Sequence, residues 1–291
     1  FACLFDTILG VKDWSAKGYR NIQDITLLPS DIDRFIKARY AFHEVQKKFP
    51  AEIACCMGFI KWSRYRPFWV ILPFFVSCYG KDMVKDNIQA LVRSLAKLFV
   101  VYSTIYGKRI NDIVRFVLNY VMHKMLEGEH VNILLNRIHE KTGQERESFM
   151  NEMMGYLAHS TKGKNLVCRL SAMLSELQND GNNDLAEKLF QTTIDIEHIQ
   201  PVNDRDGKKR TGIIKEWGPD LHAIGNLVVL ERTVNRSLSN KPPAEKLPTY
   251  KKKSQFQIVK DIAGSHDLPQ CRARKYKEAE KVGNYLFGSG T

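Results

Sequence analysis

The chain has 291 residues, 44% hydrophobic and 26% charged, an ordinary globular composition with enough length for one large or two medium-sized cores. Lys and Arg exceed Asp and Glu by 44 to 32, and the resulting net charge of +12 favours polyanionic partners over basic ones. The six cysteines include no C-x-x-C pair, and Cys55 and Cys56 are adjacent; this pattern suggests neither a zinc knuckle nor a disulfide framework and fits a reducing cytoplasm best.

The first elements read as helices. Asp31 stands where its carboxylate could cap a helix N-terminus. From Ser30 to Phe190 apolar residues recur mostly at helical spacing, as in Ile88, Leu91, Val92, Leu95, Leu98 and Phe99. Turn residues at Phe49-Pro50, Tyr79-Gly80-Lys81, Tyr106-Gly107-Lys108 and Ser160 to Lys164 predict breaks between helices of ordinary length. The apolar run Pro67–Tyr79 is shorter than the about 20 residues of a membrane span and carries Pro73, so it reads as a buried helix. No signal-peptide pattern follows Phe1, and an opening without Met suggests a piece of a longer protein.

Asn179 to Asn183 punctuates the chain, and a short helix over Leu185–Phe190 is expected after it. The pattern then changes. Thr192 to Ile196 alternates and is β-branched, as a half-buried strand would be. A polar loop over Asn203–Gly212, a second β-type run from Ile224 to Leu230 and a helix over Glu231–Ser239 follow. A terminal helix is predicted from about Cys271 to Phe287. The fold class expected is mainly α: a helical array over residues 1–190, then a ββα unit within residues 191–291.

The chemistry-bearing residues fall on that strand, loop, strand, helix unit: Asp195, Glu197 and His198, then Asn226, then Asn235. Hydrolysing a phosphodiester needs a water made nucleophilic, and an imidazole near its ordinary pKa can take that proton. It also needs the charge gathering on phosphorus and on the leaving oxygen to be neutralised, which a hard divalent cation on oxygen ligands does. Glu197 and Asn235 supply such oxygens, and Asp195 shares the strand parity of Glu197 as a second carboxylate. Adjacent strand residues face opposite ways, so Glu197 and His198 can flank one phosphate only at the strand's end, where Pro201 and the loop begin.

This order resembles the ββα-metal fold of HNH endonucleases, including the HNH domain of RNA-guided Cas nucleases. It resembles more closely the C-terminal nuclease half of GmrSD-type, modification-dependent restriction proteins. Glu197-His198-Ile199-x-Pro201, Gly225-Asn226-Leu227, Asn235, Asn240, Lys246, Tyr250 and Ser254 carry the likeness. It is strong over Thr193 to Ser254 and faint around Phe99 to Asn111. By that resemblance His198 is the general base, Glu197 and Asn235 bind Mg2+ or Mn2+, and Asn226 fixes the loop by hydrogen bonds. The family's nuclease half usually follows an N-terminal half with a D-G-Q-Q-R-type motif for nucleotide hydrolysis and modification sensing, and no such motif occurs here. The resemblance therefore implies the nuclease half of a larger phage-defence protein, parted from its sensor, that nicks DNA.

Other readings stand beside these. His222 fits a second acid, a phosphate contact or a plain loop residue. Arg236, next to Asn235, could touch a phosphate, and so could Lys208, Lys209 and Arg210 in the loop, although a solvated charged face reads the same way. A scaffold that binds DNA or a partner without chemistry, and a nuclease acting on RNA, are the alternatives to a DNA nickase.

Overall fold

In the computed structural model the described residues are 28–62, 66–105, 110–155, 161–179, 184–262 and 264–288. They are mainly helical and form two compact units, residues 1–99 with 108–142, and residues 100–107 with 143–291.

The first unit contains α1 (Pro29–Gln46), α2 (Ala51–Trp62) and most of α3 (Arg66–Ile105). It continues through α4 (Ile110–Arg115), a π-helical turn (Phe116–Met122), α5 (His123–Leu126) and most of α6 (Val131–Gly143). Ile53, Phe59, Ile71, Phe74, Leu91 and Leu95 are fully buried in it, and Arg93 joins α3 to α2 by a two-pronged contact with Glu52 at 2.7 and 2.8 Å. Two expectations change here. α1 begins at Pro29, so Asp31 lies inside its first turn. The break expected at Tyr79-Gly80-Lys81 is a kink within the 40-residue α3, where Gly80 takes a positive φ of 75° that glycine alone adopts without strain. The break expected at residues 106–108 lies outside the described residues. Asn87–Ile105 is long and apolar enough to cross a membrane, and 67% of that stretch is buried inside the protein, as a core helix is.

The second unit is built on two short strands. α7 (Arg146–Met154), α8 (Thr161–Gln178) and α9 (Leu185–Phe190) lead into β1 (Ile194–His198). β2 (Leu227–Glu231) pairs antiparallel with β1, Ile194 opposite Glu231 and His198 opposite Leu227. The connection is more structured than a polar loop: it holds α10 (Thr211–Trp217) and two 3-10 turns, Gly218–His222 and Ile224–Asn226. Then come α11 (Arg232–Leu238), α12 (Pro243–Lys253), α13 (Gln257–Lys260) and the terminal α14 (Leu268–Phe287). Leu227, Val228, Val229 and Leu230 are all buried, because α8 and α13 pack on β2 and α11 lies against both strands. Residue 191 therefore falls inside this unit; the helices before it are part of what covers the sheet.

Strand character expected from Ile224 begins only at Leu227. The carbonyls of Ile224 and Gly225 go to the Arg274 guanidinium on α14, each at 2.9 Å, instead of into a ladder. α14 also passes so close to Gly225 that a Cβ there would stand 2.0 Å from the Cys271 carbonyl oxygen, which only glycine permits. Residues 224–226 are thus bent into a turn by the helix that packs on them. An Asp267–Gln270 capping box starts α14 at Leu268, three residues before the expected start.

Candidate functional site

β1 ends where the chemistry was expected, and three of its residues face three different environments. Asp195 points to the start of α11. Its Oδ1 accepts from Arg232 Nε at 3.1 Å and from a second Arg232 nitrogen at 3.0 Å, and its Oδ2 accepts from the Asn235 amide at 3.3 Å. The structure thus brings Asp195 and Asn235, forty residues apart, into one partly exposed pair. Arg236, on the same helix, is exposed.

Glu197 faces α12. Lys246, fully buried on that helix, donates to a Glu197 oxygen and, at 2.7 Å, to the backbone carbonyl of His198. Burial raises the Glu197 carboxyl and lowers the Lys246 ammonium, and their contact opposes both shifts. Tyr250, one turn along α12, is completely buried with a hydroxyl that meets no partner among the described residues.

His198 turns the other way, as strand alternation requires. Its Nε2 lies 3.1 Å from Nδ1 of His222, with the rings nearly perpendicular at 87°. Burial first, then the positive field of Lys164 and the neighbouring His222 and Lys246, push its pKa down to about 3. It is therefore neutral at physiological pH, with a pKa well below the ordinary imidazole range expected of the base from the sequence. His222 is also lowered, by burial and then by Lys164. The turn carrying His222 is anchored through Asp220, which pairs with Arg272 at 2.8 Å and Lys275 at 2.6 Å on α14.

Asn226 is buried and uses its whole amide. Nδ2 donates to the carbonyls of Gln200 at 3.0 Å and Leu221 at 2.7 Å, while Oδ1 accepts from the Gln200 N–H at 2.8 Å and meets Nε2 of His266 at 3.1 Å. The side chain pins the segment after His198 to the turn that bears His222. Burial, then Arg274, push His266 down to about 4, so it is neutral and donates to Asn226.

The loop cations are arranged otherwise. Arg210 is tied to the carbonyls of Asn203 and Asn240, both at 3.1 Å, which occupies its guanidinium in holding the loop. Lys208 and Lys209 are exposed. Gly207, with a φ of 80°, and Asp204, whose Oδ1 accepts from the N–H groups of Asp206 and Lys208, shape the turn between them.

Four residues that organise the site carried no role in the sequence: Arg232, Lys246, His266 and Arg274. Lys246 had only its place in the family-like spacing, and His266 had no spaced partner. Their partners lie between 37 and 50 residues away in the chain, a distance that periodicity does not bridge.

The donor set bears on metal binding. No group of three or more His, Cys, Asp or Glu able to hold a metal occurs among the described residues. Asp195 and Asn235 are two adjacent oxygen donors in partial contact with solvent, which suits a Mg2+-like ion that keeps most of its water shell. Both carboxylates are already paired, Asp195 with Arg232 and Glu197 with the buried Lys246, and Asn235 meets Asp195 through its amide nitrogen, so a cation here would compete with those contacts.

A family model described as the C-terminal domain of GmrSD restriction endonucleases matches residues 143–280. No curated protein and no solved structure matches the chain. The family match begins at the residue where the main segment of the second compact unit begins.

Proposed function

We propose that this chain, whose residues 143–280 match the family model of the C-terminal domain of GmrSD restriction endonucleases, is a restriction-type nuclease and, more finely, a metal-dependent DNA nickase of the HNH kind whose general base is His198. The observation that carries this reading is the His198–His222 contact at 3.1 Å. The order of two antiparallel strands and a helix, with the histidine at the end of β1 and Asn235 on α11, is consistent with a ββα unit.

His198, neutral, donates its Nε2 proton to His222 Nδ1, and that tautomer leaves Nδ1 of His198 as the acceptor. A water on Nδ1 gives its proton to His198 as its oxygen attacks phosphorus; the bond from phosphorus to the leaving 3′ oxygen breaks, that oxygen takes a proton from solvent, and His222 stabilises the imidazolium that forms. His222 is a positioning residue in this scheme. Asn226 keeps the two imidazoles in register by holding both segments that bear them. Asn235 with the carboxylates Glu197 and Asp195 would hold the Mg2+ or Mn2+, which would supply charge neutralisation at the phosphate when bound. Glu197 and Lys246 brace the end of β1, since Lys246 grips both the carboxylate and the His198 carbonyl.

The test is conversion of supercoiled plasmid to open circle with Mg2+ or Mn2+, with EDTA and His198→Ala as controls and a structured RNA as competitor. Open circle that disappears in both controls supports the reading. Unchanged cutting by His198→Ala removes the base assignment, preferred cutting of the RNA replaces the substrate, and binding without cutting by the folded protein returns the reading to a scaffold.

A further inference from the structure

Beside the sheet lies a cavity of about 470 Å3, within the size range of small-molecule sites. Arg232 and Arg236 from α11, Lys188 from α9, Thr193 before β1, and Gln255 and Phe256 after α12 line it. One carboxylate, Glu231, also lines the cavity, but its oxygens accept from the Gln255 N–H at 2.7 Å and the Ser254 hydroxyl at 3.1 Å. Three cations thus converge on the space while its acid is engaged with the chain. Arg232 uses Nε and one terminal nitrogen on Asp195, which leaves its other terminal nitrogen for the cavity.

We infer that this cavity is a phosphate subsite, taking a phosphodiester of the polynucleotide backbone next to the one at Asp195 and Asn235. Guanidinium groups match phosphate oxygens in paired, planar geometry, and the threonine hydroxyl and glutamine amide add neutral donors. Arg232 belongs to both places: it grips Asp195 and lines the cavity, so a strand seated on Arg236 and Lys188 is led directly to the carboxylate. The inference rests on the nuclease reading only in naming a polynucleotide as the source of the phosphate.

The test is fluorescence anisotropy of a labelled DNA duplex in EDTA, where nothing is cut, using the full chain and its Lys188→Ala/Arg236→Ala double variant. Lys251→Ala, an exposed lysine outside the cavity, is the control. The double variant should lose affinity about tenfold or more, and its slope of log affinity against log salt should fall by about two, since each phosphate contact contributes about 0.9. Inorganic phosphate should compete with the duplex on the wild type more strongly than on the double variant, and competition equal to that of sulfate would mean a general anion site. An equal loss in Lys251→Ala, or no loss in the double variant, overturns the subsite while leaving plasmid nicking to judge the enzyme. A chain that shows the slope change but never nicks keeps the subsite and loses the nuclease reading.

Discussion

Replacing His198 by Ala removes the imidazole at the end of β1 and should lower nicking by about 10²- to 10⁴-fold, the usual contribution of a general base, with circular dichroism unchanged. His222→Ala should cost less and shift the acid side of the pH–rate profile, because His198 would lose both its partner and part of the field that keeps it neutral; His222→Asn, which retains an acceptor, should recover part of the rate. A profile identical to wild type in His222→Ala would remove its positioning role. The two carboxylates separate by what they touch. Asp195→Ala, Asn235→Ala and Glu197→Gln should raise the Mg2+ concentration needed for half-maximal nicking, and Glu197→Gln should in addition lower stability by leaving Lys246 buried without its counter-charge. A Glu197→Gln variant with an unchanged Mg2+ requirement would leave the metal to Asp195 and Asn235.

Elements hold these residues through contacts that single substitutions can break. Gly225→Ala puts a methyl into the Cys271 carbonyl and should cost about 1–3 kcal/mol or more, because neither the turn nor α14 can yield backbone; a denaturant midpoint equal to wild type would contradict that packing. The Asn226 bracket depends on neutral His266. Its pKa in the folded chain, about 4, lies below the ordinary 6.5, so the stability it contributes is complete above pH 6.5 and is lost as pH falls through the window from 6.5 to 4. Melting temperature should drop across that window in the wild type and less steeply in His266→Gln. The element order of strand, loop, strand, helix was legible from β-branched alternation followed by helical spacing. The turn at residues 224–226 was not, since its backbone is bent by Arg274 and by the close approach of α14, both remote in sequence.

For the whole molecule, an excess of basic residues suits a polyanionic substrate, and the proposed reading, with one His198 and one metal site per chain, predicts one strand cut per event. Open-circle plasmid should therefore accumulate before linear product, and cutting should weaken steeply with salt; linear product without an open-circle stage would require two chains acting together. The sequence by itself determined the mainly helical class, the β1 and β2 segments, and the set of residues worth testing, because residue type and short-range period are local properties. Tertiary structure alone decided which of those residues meet: Asp195 with Asn235 and Arg232, Glu197 with Lys246, His198 with His222, and Asn226 with His266. Each partnership closes a long loop of chain, and the burial that packs these side chains together selects the pairs; no local pattern encodes it.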